Sequence, residues 1–141
     1  MTTVPPDTVR PARWLWPLLL MLTGCVCLVV LWTVLALYHG RMDGWVAVVA
    51  AAYAALALRL GGAPRGGRRG LLGLAGTLAS VLAAGWLVVA GQIGLQLGLY
   101  PWDSALKLGP GLAVTMLRLL AAPADFAFAA LAVLAAPLLA R

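Results

Sequence analysis

From Trp14 to Tyr38 the chain runs for 25 residues without a charged side chain, and nothing else in the sequence constrains its fold as strongly. A helix rises about 1.5 Å per residue, so about 20 apolar residues cross a hydrocarbon layer about 30 Å thick. Trp14 and Trp16 stand at one end of the run and Tyr38 and His39 at the other, rings of the kind that settle at the headgroup level. The run predicts a membrane-spanning helix over 14–38. Composition agrees: 64% of residues are hydrophobic and 10% charged, with mean hydropathy +1.01. Soluble domains carry about 25% charged residues, so this chain is too poor in charge to cover a soluble surface.

Further apolar runs divide the rest. Trp45 to Leu58 is barely long enough to span and needs Gly44 and a snorkelling Arg59 to complete it. Leu71 stays apolar to about Gly91, and Leu112 to Ala140 forms the last run. Between them lie a turn, "HGRMDG" (39–44), a glycine-rich basic stretch, "RLGGAPRGGRRG" (59–70), and an interfacial-looking stretch, "LYPWDSALKLGPG" (99–111), where Asp103 or Ser104 can cap a short helix. The expected architecture is an all-α integral membrane protein with four transmembrane helices, at about 14–38, 44–60, 71–92 and 119–140. A short outer interfacial or re-entrant helix is expected around 103–118. Residues 1–13, with three prolines, read as a flexible tail ahead of a single transmembrane domain, 14–141.

A five-span alternative makes 105–121 and 123–140 a C-terminal hairpin. Only 12 residues separate Pro110 from Pro123, too few to cross the core, so four spans are favoured. Charge sets the orientation. Arg10, Arg13, Arg59, Arg65, Arg68, Arg69 and Arg141 fall on one side of the four-span arrangement, and Arg41, Lys107 and Arg118 on the other. The positive-inside rule then places both termini in the cytoplasm. The richness in Ala, Gly, Leu and Arg, with a single Lys, suggests a high-GC bacterial genome, and with it the inner membrane.

The net charge of +6 sits in short segments between apolar runs and not on a folded basic face, which points away from nucleic acid. Arg59, Arg65, Arg68 and Arg69 are candidate contacts for anionic lipid headgroups, at about 1 kcal/mol per basic residue near the surface. Cys25 and Cys27, two apart in the first run, point about 200° away from each other on a helix and read as packing residues. "LTGC" (22–25) resembles the lipobox of bacterial lipoprotein signal peptides. The apolar continuation "VCLVVLWTVLALY" lacks the polar tether that normally follows and argues against processing.

In the third run Gly73, Gly76, Ser80 and Ala84 form a small-residue face of the kind that lets helices approach closely in lipid. Gln92 and Gln96 share one side of that helix. Gln92 lies about 31 Å along it from Leu71, at the far headgroup level. The most unusual stretch is "MLRLLAAPADF" (116–126), which puts Arg118 and Asp125 inside an apolar run. Pro123 and Asp125 occupy the first and third positions of a helix start, where proline is tolerated and a negative charge meets the positive dipole end. Arg118 marks the outer headgroup level. A carboxylate inside the core is also costly and commonly marks a pathway or a partner, so Asp125, Arg118, Gln92 and Gln96 form the candidate intramembrane polar site.

The sequence carries no Ser-His-Asp, HExxH, CxxC or phosphate-loop pattern, one His and no Glu, so neither catalysis nor a metal or cofactor is expected. Small multidrug transporters use a glutamate in their first span, and this chain has none. Two expectations remain. The first is a structural or accessory membrane protein packing through Gly/Ala faces into a homo-oligomer or a larger membrane complex. The second is a small transporter or channel component using Asp125 and Arg118 in a polar pathway.

Overall fold

The computed structural model describes residues 12–63 and 66–140. The expected tail falls outside these residues up to Pro11, as do Arg65 and Arg141. Among the described residues the chain is all helical, with six helices: α1 (Ala12–His39), α2 (Trp45–Leu60), α3 (Gly67–Leu97), α4 (Pro101–Lys107), α5 (Pro110–Leu120) and α6 (Pro123–Ala140). Two of them, α1 and α3, are long and apolar enough to cross a membrane. The pair α5 and α6 passes the same test if taken as one span, bent by 109° at the break between them. These apolar helices suggest a membrane location.

α1 runs alongside α3, with Met21 against Gly76 and Leu37 against Gly91. α2 returns antiparallel to α1, bringing Tyr53 to Gly24 and Gly61 to Pro17. α6 packs most extensively on α2, and also on α3. Its N-terminus meets Gly44, at the start of α2, and its Pro137 meets Gly70, near the start of α3. The core is made mostly by small and medium side chains in these four helices, including Val29, Ala47, Ala51, Val88 and Ala132, around the large buried Trp32. Many outward positions carry large apolar side chains, such as Leu22, Leu31, Leu82 and Leu134. That pattern suits a bilayer as solvent.

α3 starts earlier in the chain than its arginines suggest. The helix begins at Gly67, inside the expected basic loop, with Arg69 N–H and Gly70 N–H both donating to Gly66 O. Arg69 is buried, and its Nη1 donates to Ala63 O at 3.4 Å. The loop between α2 and α3 is therefore shorter than 59–70. At its other end α3 continues to Leu97, past the expected limit at 92, because no proline intervenes and the helix absorbs Gly94 before it ends at Gly98. That glycine adopts the left-handed conformation at φ 66°, and Leu99 N–H closes back on Gly94 O at 2.9 Å, a Schellman-type ending.

The expected single interfacial helix at 103–118 is two helices. α4 starts at Pro101 and is not capped by a side chain, so neither Asp103 nor Ser104 serves as its cap. The chain extends at Leu108 and Gly109, and α5 restarts on Pro110. Proline favours the first turn of a helix and disfavours helix in the residue before it, which is why two prolines nine residues apart give two short helices. Trp86 Nε1–H donates to Ala105 O at 3.1 Å and ties α4 to α3. Leu108 and Ala113 bury against Val89 and Ala90 of α3. At 11 residues α5 is about 16 Å long, too short to cross a bilayer by itself.

Close helix approach depends on glycine at particular points. A Cβ on Gly24 would overlap Cζ, Cε1 and the hydroxyl oxygen of Tyr53, whose hydroxyl donates to Leu20 O at 3.1 Å. Gly24→Ala is expected to destabilise the chain by about 1–3 kcal/mol through overpacking. In a double-mutant cycle, combining it with Tyr53→Ala should cost less than the sum of the two single changes by about 1 kcal/mol. Unfolding in mixed micelles titrated with sodium dodecyl sulfate measures this, and strict additivity would show that the two helices do not depend on the fit.

Candidate functional site

Polar groups gather where the α1–α2 turn meets the α5–α6 break. α6 opens with Pro123, Ala124 and Asp125, and Asp125 folds back so that Oδ2 accepts Ala122 N–H at 2.8 Å. This is the acidic arm of a capping box, which satisfies a donor ahead of the helix. The other oxygen, Oδ1, accepts Gly44 N–H at 2.9 Å from a position 81 residues earlier. Asp125 is therefore both the punctuation of α6 and a clamp between α6 and the start of α2. Met42 N–H also reaches Leu120 O, at 3.5 Å, so the turn and the break are joined by two connections.

A second carboxylate sits in the same turn, and the sequence reading passed over it. Asp43 is 5% exposed; its Oδ2 lies 2.6 Å from His39 Nδ1 and its Oδ1 3.9 Å from Arg41 Nε. Its carbonyl accepts Val46 N–H at 3.2 Å in the first turn of α2. The signal was present as His39 and Asp43 four residues apart, but a short "HGRMDG" turn reads as solvated without the helices around it. The turn thus directs His39 and Arg41 to Asp43, while Asp125 is held by amides.

The four residues expected to form a polar site do not converge. Arg118 is exposed in the last turn of α5 and makes no ion pair with Asp125. Gln92 donates weakly to Ala36 O, at 3.5 Å, and Gln96 is exposed. The geometry follows from the break. With α5 and α6 bent by 109°, the seven-residue spacing no longer puts Arg118 and Asp125 on one continuous helix face. Of the small-residue face, Gly73, Ser80 and Ala84 are buried within the chain, together with Thr77, which the spacing had missed. Gly76 is half-buried beneath Met21. Thr77 and Ser80 satisfy their hydroxyls on Gly73 O and Gly76 O, each at 2.8 Å, which lets them sit in an apolar interface as small residues. Of the expected headgroup contacts, Arg59 and Arg68 are exposed and Arg69 is buried.

Beside the Asp125 clamp lies a cavity of about 210 Å³ between α3, α5 and α6. Trp32, Trp86, Leu117 and Phe126 line it along with Asp125. Trp32 is 1% exposed, and its Nε1–H has no acceptor among the described residues. Cys25 is buried and Cys27 exposed, with no disulfide between them. Among the described residues no three of His, Cys, Asp and Glu come together to hold a metal ion. What the arrangement offers chemically is an apolar recess with a single carboxylate in its wall. No protein-family model, curated protein or solved structure matches the chain.

Proposed function

We propose that this is a small polytopic inner-membrane protein of structural or accessory type, which assembles through its outer apolar surface into an oligomer or a larger membrane complex. In this reading α1, α2, α3 and α6 are four spans, α4 and α5 lie at the outer interface, and both termini are cytoplasmic. The excess of arginine at the α2–α3 end supports that orientation. The observation that carries the functional reading is the separation of the polar residues. A conducting pathway needs groups that follow one another, whereas Arg118 and Gln96 face outward and Gln92 is tied to Ala36. Asp125 is engaged by two backbone amides.

The buried Gly73, Ser80 and Ala84 are taken up by packing within the chain. What α3 leaves outside is Ala75, Ala79 and Ala83, exposed among Leu71, Leu78 and Leu82. Small residues at that spacing permit close packing of a further helix. Solubilisation in mild detergent followed by mass measurement of the intact particle tests the proposal. A stoichiometric foreign membrane protein, or a homo-oligomer silent in ion-flux assays, is the expected result. A homo-oligomer that conducts ions in proteoliposomes and loses that flux in Asp125→Asn would replace this reading with a transporter.

A further inference from the structure

The clamp accounts for the hydrogen bonds of Asp125 but not for its charge. Both donors, Gly44 N–H and Ala122 N–H, are neutral amides. No Arg, Lys or His pairs with this carboxylate among the described residues, and the basic side chains of the nearby turn, His39 and Arg41, are directed to Asp43. An ionised carboxylate offers about four lone-pair positions, so acceptor capacity remains. The cavity wall beside it is otherwise apolar, and Asp125 is the only ionisable side chain among the residues that line it. The amides and the α6 N-terminus offset part of the charge, but a half-buried carboxylate with no counter-cation against apolar surface still carries a cost. A neutral occupant would not relieve that cost, and an anion would be repelled.

We propose that this cavity binds an organic cation with apolar substituents. The carboxylate of Asp125 meets the ammonium, and Trp32, Trp86, Phe126 and Leu117 surround its alkyl or aryl groups. Aromatic side chains suit such a guest twice over, because they cover apolar surface and their rings attract a cation within about 6 Å. At about 210 Å³ the space selects a compact ammonium bearing one ring or a few short chains. The same chemistry has two sources: a free lipophilic amine, or the ammonium headgroup of a zwitterionic lipid. The inference concerns what enters the molecule and holds whether or not the protein docks into a larger complex.

The test uses the full chain in nanodiscs of phosphatidylglycerol, with benzyltrimethylammonium as probe and neopentylbenzene as its uncharged isostere. Equilibrium dialysis against empty discs of the same lipid subtracts partitioning. The cation should bind in excess of the empty discs, and the isostere about tenfold or more weakly, since only the cation gains the charge-assisted contact. Asp125→Asn should weaken the cation about tenfold while leaving the isostere within about twofold. Gly85→Leu places a side chain in the cavity without touching Asp125; a Cβ there meets Leu117 at 3.5 Å and Met42 at 3.7 Å. It should remove binding of both probes. Repeating the titration in phosphatidylethanolamine discs separates the sources: competition supports a headgroup occupant, and unchanged affinity supports a free cation. The proposal fails if wild-type protein binds no cation beyond empty discs, if the isostere binds equally well, or if both variants, each still giving a cooperative unfolding transition, bind like wild type.

Discussion

Gly44→Ala is expected to destabilise this chain strongly, by forcing α2 and α6 apart. A Cβ at Gly44 would stand 2.5 Å from the Cα of Asp125 and 2.7 Å from its Cβ and Oδ1. The obstacle includes backbone, so no change of rotamer relieves it, and the helices must part. The helices concerned are α2 and α6, which share the most extensive packing in the molecule. Parting them also lengthens the bond from Gly44 N–H to Asp125 Oδ1. Overpacking costs about 1–3 kcal/mol and a hydrogen bond to a charged group contributes about 1.5–3 kcal/mol, so a total of about 3–5 kcal/mol is expected. A Cβ at Gly61, at the other end of α2, would stand 2.6 Å from the Cα of Pro17. It carries no clamp, so its alanine variant should lose less. Denaturation in mixed micelles gives both numbers, and a Gly44→Ala loss below about 1 kcal/mol would mean that the turn slides aside without disturbing α6.

That pinning of α2 was not legible in the sequence, whereas the course of the helices largely was. The uncharged run from Trp14 and the run from Leu71 announced α1 and α3 through length alone, because few soluble helices need so much continuous apolar chain. Trp45 to Leu60 was bounded by glycine at each end, and α2 occupies those residues. Pro123 and Asp125 marked the start of α6 through local chemistry that proline and a first-turn carboxylate always carry. The misplacements have a common origin. Arg69 enters the structure because a long side chain can be satisfied by a nearby carbonyl, here Ala63 O, which no pattern of arginines reveals. The residues at 103–118 divide because Pro110 starts a new helix and holds the residue before it extended. The partners of Asp125 and Asp43 depend on how a turn near residue 43 meets a break near residue 122. Sequence spacing says which groups can reach one another along a helix, but not which loops meet across a bundle.

Asp125→Ala is the change that separates the clamp from mere helix punctuation. If the carboxylate only opened α6, its loss would leave Ala122 N–H at an exposed helix end, where water or headgroups replace it and the cost is about 0.5–1 kcal/mol. Gly44 N–H is different, because Gly44 is buried and loses its acceptor where none can replace it. Stranding such a donor costs about 1–3 kcal/mol, and the two losses together predict about 2–4 kcal/mol. Asp125→Asn keeps one carbonyl oxygen but turns an amide NH2 toward the other donor, so it should fall between wild type and alanine. The pair Gly44→Ala and Asp125→Ala then gives the decisive cycle. Truncation to alanine takes away the Oδ1 that the new methyl would strike, while the Cα and Cβ at 125 remain, and the shared hydrogen bond can be lost only once. The double variant should therefore be more stable than the sum of the singles predicts, by about 1–3 kcal/mol. Additive losses would place the two residues in separate roles, and α6 would then be held to α2 by apolar packing alone.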